Sequence, residues 1–150
     1  MAKRGDEVNI ETSNLEIERP DYVFLQAELD AARMKWKVVD VREYTFDLMF
    51  TSNHELGGII THMTVVDGVR SIRGYRAYGT ERTSASSWAR EDTIDELFDE
   101  INDLIADRVW WIDIEYDQLL GHPLRISVDR RWIVLDDNYD LRVTNLVIVR

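Results

Sequence analysis

The stretch that decides the fold is residues 93–129, TIDELFDEINDLIADRVWWIDIEYDQLLGHPLRISVD, in which helical spacing gives way to strand spacing. In its first half, apolar residues recur every three or four positions, which is typical of a helix with one buried face. Thr93 and Glu96 have the spacing of a capping box at the start of that helix. Further on, apolar and polar residues alternate over residues 109–117 and 123–129, which predicts two strands joined by a turn.

The turn between these two strands is predicted to be structural. Gly121 supplies a backbone conformation that residues with a Cβ resist, and Pro123 fixes the entry to the following strand without needing a ladder donor. Asp117 is expected to accept hydrogen bonds from loop amides, as aspartate commonly does in turns. The residues assigned to this turn and its flanking strand ends are Tyr116, Asp117, Gly121, His122, Pro123 and Asp129.

Upstream of this stretch, the sequence predicts a further helix and three strands. Asp21 is the candidate N-cap of the helix, and one face of the helix is predicted to be apolar and buried. That face consists of Val23, Phe24, Ala27, Ala31, Met34 and Val38. Residues 43–50 alternate as a half-buried strand. Residues 59–78 predict two more strands joined at Asp67-Gly68, which is a strong hairpin signal.

Together with a final strand over residues 139–149, these elements follow the order helix, three strands, helix, three strands. Hairpin-length links without βαβ alternation indicate an α+β fold, with an antiparallel sheet of about six strands and two helices on one face. Residues 21–150 are predicted to form this fold as a single domain. Residues 1–20 lack periodicity and end in Arg-Pro, so they are predicted to be a mobile N-terminal arm.

The composition argues against several classes of protein. Lys and Arg number 18 against 29 Asp and Glu, so the formal charge is −11 and direct nucleic-acid binding is not expected. The absence of cysteine excludes disulfides, thiolate nucleophiles and cysteine-ligated metals. No segment approaches about eighteen uninterrupted apolar residues, so no membrane span is expected.

Most of the chain resembles a known family. The order T-I-D-E-L-F-D-E-I, a strand ending in Y-D, L-G-H-P-L-R-I-S-V-D, and then Asp136 and Asp137 before a final strand is similar to the bacterial family catalogued as domain of unknown function 6174. The resemblance spans residues 36–149. Its most specific positions are Tyr116, Asp117, Gly121, Pro123, Ile126 and Asp129. The resemblance implies no activity, because none is assigned to that family.

Two features of that family differ here. Its glycine and proline usually flank an aromatic residue, where this chain has His122. Its members often carry an export signal or lipid anchor, and many have cysteines near the first hairpin, whereas this chain shows neither. The location is therefore expected to be cytoplasmic if the chain is native as given, and extracytoplasmic if a leader was removed.

The motifs give no positive support to a catalytic or metal site. The spacing of His54, His62 and His122 does not force two of them together with a carboxylate. Several aspartates near strand ends are candidates to gather at one sheet edge, without the alternating pattern of a calcium loop. They are Asp117, Asp129, Asp136, Asp137 and Asp140. No nucleophile elbow, P-loop or dinucleotide motif occurs, so no catalytic residue, metal or cofactor is expected.

Exposed aromatic and acidic residues are the candidates for an interaction surface. Trp110 and Trp111 point to opposite faces of a strand, and Trp132 lies in a polar run, so Trp111 and Trp132 are candidate contact residues. On the outer face of the second helix, regularly spaced carboxylates could imitate a phosphate backbone. They include Asp95, Asp99 and Asp103.

Three functional hypotheses remain. The leading one is a non-catalytic domain that binds another protein or its own copies through sheet edges, the N-terminal arm and exposed aromatics. The first alternative is an acidic, nucleic-acid-mimicking inhibitor of a nucleic-acid-binding protein. The second is an unrecognised hydrolase or metal-binding protein, with a pocket around His122 and the neighbouring aspartates.

Overall fold

A computed structural model describes residues 19–52, 58–84, 88–130 and 138–149, and these residues form two helices and seven strands. The helices are α1, Tyr22–Val39, and α2, Ile94–Ala106. The strands are β1 Glu43–Ser52, β2 Ile59–Val66, β3 Val69–Ala77, β4 Thr80–Arg82, β5 Trp111–Tyr116, β6 Pro123–Asp129 and β7 Asn138–Val149.

The strands form one antiparallel sheet in the order β4-β3-β2-β1-β7-β6-β5. Successive strands pair antiparallel from β1 to β4 and again from β5 to β7. Asp67 and Gly68 make the tight turn between β2 and β3, with positive φ at both residues. The central pairing is between β1 and β7, with Leu48 opposite Val143. This pairing joins the N-terminal and C-terminal hairpins into a single sheet.

The core lies between one face of the sheet and the two helices. Because side chains alternate along a strand, β1 directs Tyr44, Phe46, Leu48 and Phe50 to that face, and all four are buried. The helices bury Leu29, Ala32, Trp36, Ile94, Leu97, Phe98, Ile101, Leu104 and Ile105. The predicted α+β class, with two helices and an antiparallel sheet, is confirmed.

The predicted number of strands and their order are wrong. The sheet has seven strands, and the order is helix, four strands, helix, three strands. The additional strand is β4, whose three residues are all exposed and, among the described strands, pair only with β3. A three-residue edge strand without a buried side chain has no alternation to detect. Its turn is formed by Tyr78 and Gly79, both with positive φ.

The predicted buried face of α1 is also wrong. The structure buries Leu29, Ala32 and Trp36, and exposes the face that was expected to be buried. Both sets of residues recur at helical spacing, so periodicity alone does not choose between them. The bulkier set enters the core, where the Trp36 ring packs edge-on against Tyr44 with the centroids 5.4 Å apart.

The start of α2 is fixed by the predicted capping box. The Thr93 hydroxyl accepts a hydrogen bond from the Glu96 N–H at 3.2 Å, and the Glu96 carboxylate accepts one from the Thr93 N–H at 3.0 Å. The next free amide, that of Ile94, donates to the Tyr44 hydroxyl at 3.1 Å. Burial raises the pKa of Tyr44. The hydroxyl therefore stays protonated and ties β1 to the start of α2.

Residues 1–18 of the predicted arm lie outside the described residues. Arg19 is described, and its guanidinium contacts the region where α2 ends and β5 begins. It donates to the Tyr22 hydroxyl at 2.8 Å and to the Arg108 carbonyl at 3.2 Å. It also lies 4.8 Å from the centroid of the Trp110 ring. The entry to α1 is thus held in place by contacts with the opposite half of the chain.

Candidate functional site

The turn between β5 and β6 is organised by Asp117. Its carboxylate accepts hydrogen bonds from the N–H groups of Leu119 and Leu120 at 2.9 and 2.7 Å. Its own N–H donates to the His122 carbonyl at 2.8 Å, and its carbonyl accepts from the Gly121 N–H at 3.0 Å. The hydrogen bonds from these backbone amides, above all the one from Leu120, hold the pKa of the Asp117 carboxyl below its usual value. Asp117 is therefore committed to the turn.

Gly121 lets this turn lie directly against the backbone of α1. Its φ is +86°, a conformation that favours glycine. A Cβ at this position would lie 2.2 Å from the Ala32 carbonyl oxygen and 2.7 Å from the Lys35 Cβ. Lys35 in turn donates to the Gln118 carbonyl at 3.1 Å. The turn therefore packs directly against the backbone of α1.

Two buried polar side chains flank the turn. The His122 ring packs against Trp36 with the centroids 5.8 Å apart, and its Nδ1 has no hydrogen-bond partner among the described residues. Tyr116 stacks on Phe98 at 6.4 Å, and its hydroxyl is buried without a hydrogen-bond partner in the described part of the chain. Burial lowers the pKa of His122 and raises that of Tyr116. Both groups are therefore held neutral and contribute by packing.

The cavity beside the turn does not reach His122. It is open, has a volume of about 640 Å³, and is lined by Glu115, Tyr116, Asp117, Gln118, Leu119 and Leu124. A general base or metal ligand must reach the group on which it acts. Pro123 and Asp129 are the two ends of β6, so the remaining predicted turn residues hold strand positions. The arrangement gives no support to a hydrolase centred on His122.

The predicted acidic surface lies on the outer face of α2. Asp95, Asp99 and Asp103 are all exposed there. An open cleft of about 470 Å³ runs along this face, lined by Asp92, Glu96, Asp99, Glu100, Asp103, Leu104, Asp107 and Arg130. Much of its charge is already paired within the chain, because Asp99 binds Arg33 at 2.5 Å. Glu96 and Glu100 likewise form ion pairs, with Arg70 and Arg90.

Of the predicted aromatic contact residues, Trp111 is described and is 41% exposed. It lines an open groove of about 380 Å³ on the outer face of the sheet, together with Arg125 and Asp140. Arg125 donates to Asp140 at 3.0 Å, so its charge is compensated inside the groove. The other predicted residues Trp132, Asp136 and Asp137, together with His54, lie outside the described residues.

The sheet face away from the helices carries a charged cluster around His62. The His62 Nδ1 lies 2.7 Å from the Asp47 carboxylate, and Nε2 lies 2.9 Å from that of Glu81. Arg73 and Arg76 approach the same carboxylates at 3.8 and 3.9 Å. Hydrogen bonding to Asp47 is the main reason that the pKa of His62 is raised. The cluster ties the edge strand β4 to the centre of the sheet.

We expect the His62 cluster to make the stability of the fold depend on pH. Because the folded pKa of His62 is raised, its stabilisation is fully present below its unfolded pKa of about 6.5 and is lost as pH rises through the folded value. Urea unfolding of wild type and His62→Gln should therefore differ by up to about 1 kcal/mol at about pH 6, and less at higher pH. A difference that does not change with pH would contradict this assignment.

The outer stripe of α1 is an exposed apolar surface that the sequence alone did not reveal. We define it as Val23, Phe24, Ala27, Ala31, Met34 and Val38, all of which are exposed. The four large side chains are 78%, 59%, 68% and 79% exposed, in the order Val23, Phe24, Met34, Val38. At its N-terminal end the stripe borders an open groove of about 450 Å³ between α1 and α2. The apolar spacing is visible in the sequence, but spacing alone does not show which face of the helix enters the core.

The inner side of α1 holds the outer stripe in a fixed orientation. Leu29, Ala32 and Trp36 are buried in the core directly behind it. At the flank next to α2, Arg33 binds Asp99 at 2.5 Å. The stripe is therefore a preformed apolar surface on a firmly packed helix.

Within the described part of the chain, no helix is long and apolar enough to cross a membrane, and no group of three His, Cys, Asp or Glu side chains is placed to hold a metal ion.

Three comparisons with known proteins give one match, to a family model. No curated protein and no solved structure matches the chain. The model of the family of unknown function DUF6174 matches residues 28–148. This range contains α2, the turn, the central strands and all of α1 except its start. The chain therefore belongs to the DUF6174 family.

Proposed function

We propose that this protein is a non-catalytic protein-interaction domain that binds its partner through the outer stripe of α1. The observation that carries the proposal is the exposure of Val23, Phe24, Met34 and Val38 on one side of a single helix. A surface helix normally turns polar residues to solvent and a single apolar stripe to the core. A second apolar stripe on the solvent side is typical of a contact surface.

The packing behind the stripe supports this function. α1 is anchored by Trp36 in the core and by the close packing of Gly121 against its backbone at Ala32. Gln26 also donates to Asn102 on α2 at 3.3 Å. A helix held in this way loses little conformational entropy on binding, so more of the contact energy is available for affinity.

The acidic face of α2 favours the second candidate function, an inhibitor that imitates nucleic acid. Its support is the cleft lined by carboxylates, in which Asp103 carries no ion pair to a described residue. The pairing of Glu96, Asp99 and Glu100 with arginines of the same chain weakens it. A phosphate mimic needs uncompensated negative charge to attract a basic partner.

Photo-crosslinking in the cells that make the protein tests the proposed function. A photoreactive residue at position 34 should give covalent adducts with a polypeptide, because Met34 lies at the centre of the outer stripe. The matched control is position 69, since Val69 is 71% exposed but lies at the start of β3. Absence of adducts at position 34, or equal yields at both positions, would refute the proposal.

The same experiment separates the two candidate surfaces. Replacing Asp95 and Asp103 with lysine should leave adducts at position 34 unchanged if the stripe makes the contact, because both residues are exposed on the acidic face of α2. Adducts lost on this double substitution and on adding salt would favour the acidic inhibitor, because exposed charges are screened by salt.

A further inference from the structure

We propose that the partner of the outer stripe is a second copy of this chain, bound through antiparallel pairing of the two α1 helices about a two-fold axis. This inference depends on the proposed function, because it names the partner of the same surface. Three features of α1 favour this partner: the charges that flank the stripe, the side chains at its centre, and the length of the helix.

The charges flanking the stripe are divided along the helix. At 100° per residue, Glu28 and Lys35 lie on one flank of the stripe, and Asp30 and Lys37 lie on the other. On both flanks the acidic residue belongs to the N-terminal half and the basic residue to the C-terminal half. The two members of each flank are seven residues apart, so they do not pair with each other as i,i+4 neighbours do.

This distribution selects the antiparallel orientation. A two-fold axis perpendicular to the helices places the same flank of each copy side by side, and the two helices run in opposite directions. Glu28 then meets Lys35 of the second copy, and Asp30 meets Lys37 of the second copy, which gives four opposite-charge pairs in the dimer. A parallel pair would bring opposite flanks together, with Glu28 beside Asp30 and Lys35 beside Lys37. The parallel orientation would therefore create four like-charge contacts.

The side chains on the stripe suit close packing in this register. The midpoints of the two flank pairs average to a point midway between positions 31 and 34, and an axis at that point places Ala31 beside Met34 of the second copy. Ala27 faces Val38 of the second copy at the edge of the groove between α1 and α2. A small residue opposite a large one lets helices approach to about 9 Å. The stripe is thus self-complementary in volume as well as in charge.

The helix is long enough for a weak specific dimer. With 18 residues it is about 27 Å long. One helix from each copy places the interface near the lower limit of specific interfaces, about 1,200 Å² in total. We expect a dissociation constant on the order of micromolar.

Sedimentation velocity over a concentration series tests the dimer. Wild type should dimerise, and Met34→Asp should raise the dissociation constant by about 100-fold or more, because two carboxylates would be buried near the axis. Val69→Asp is the matched control, an equally exposed apolar position outside the stripe that should leave the constant unchanged. A wild type that stays monomeric to about 1 mM, or equal effects of the two substitutions, would overturn the proposal.

Charge reversal tests the pairing itself. Glu28→Lys with Asp30→Lys makes both flanks wholly basic and should weaken the dimer roughly ten-fold. Adding Lys35→Glu and Lys37→Glu restores every opposite-charge pair in the antiparallel register, so the fourfold variant should dimerise like wild type. Thermal unfolding at low concentration controls for effects on the monomer. Failure of the fourfold variant to recover dimerisation would refute the antiparallel pairing.

The orientation can be measured because the chain has no cysteine. A single spin label on Val23→Cys should give an inter-label distance of about 30 Å in the antiparallel dimer. A distance of about 10 Å would indicate a parallel pair and overturn the proposal.

Other occupants of the stripe predict different results. Deleting residues 1–18 should leave the dissociation constant of the dimer unchanged. Dimerisation that appears or disappears with this deletion would overturn the proposal, because that segment would then cover the stripe or carry the association. Adducts at position 34 that contain only a different polypeptide would also refute the second copy as partner, while leaving the proposed function intact.

Discussion

Replacing Gly121 with alanine is expected to lower the free energy of unfolding by about 3 kcal/mol or more. The new Cβ would lie 2.2 Å from the Ala32 carbonyl oxygen, and that oxygen belongs to helical backbone that cannot rotate away. The positive φ adds strain of about 1 kcal/mol for a residue with a side chain. Equilibrium unfolding in urea, followed by circular dichroism, measures the loss.

Gly79→Ala is the matched control for this substitution. Gly79 has a similar φ of +76°, but a Cβ there would meet nothing within 4 Å. Its cost should therefore be the backbone strain alone, about 1 kcal/mol. Equal losses at positions 79 and 121 would mean that the close approach of the turn to α1 does not matter.

Replacing Trp36 with alanine should cost about 3–5 kcal/mol. Trp36 is buried where α1 meets the sheet and the turn, packed against Tyr44 at 5.4 Å and against His122 at 5.8 Å. Its removal would leave a cavity between three elements that are fixed by other contacts, so the site cannot collapse to fill it. Denaturant unfolding of the variant at low protein concentration gives the measured loss.

The control for Trp36→Ala lies two positions away on the same helix. Met34 is 68% exposed, and Met34→Ala should change the stability of the monomer by no more than about 0.5 kcal/mol. If the two substitutions cost the same, the orientation of α1 in this structure would be wrong. The comparison therefore also tests which face of α1 is available to a partner.

Together, Gly121 and Trp36 explain how the turn and the candidate surface are connected. The turn presses on α1 at Ala32 and Lys35, and Trp36 lies one turn of the helix beyond Ala32 on the buried side. These contacts set the rotation of α1 about its axis. The rotation in turn decides that Met34 and Val38 face solvent.

Local sequence signals were sufficient for most of the elements. Thr93 and Glu96 predicted the start of α2, and its apolar spacing predicted its buried face. Asp67 and Gly68 predicted the hairpin between β2 and β3, since a tight turn of this type requires positive φ at both residues. Strand β6 has the bounds that alternation and Pro123 predicted. In each case the physical cause lies within a few residues of the element.

Other features depended on distant residues. The His62 cluster joins Asp47 on β1 to Glu81 on β4 through a histidine on β2, and only the pairing of three strands brings them together. Edge strand β4 exists because β3 offers it a partner, not because of its own composition.

The sequence by itself determined the α+β class, the hairpin between β2 and β3, the bounds of β6 and the capped helix α2, because these follow from periodicity, turn chemistry and capping over short distances. Tertiary structure alone decided which of the two apolar stripes of α1 enters the core. Both stripes satisfy helical periodicity, so the choice depends on volume and contact: Trp36 fills the space beside Tyr44, and Gly121 admits the helix backbone at Ala32. The stripe left outside is the surface that we propose to be the site of association.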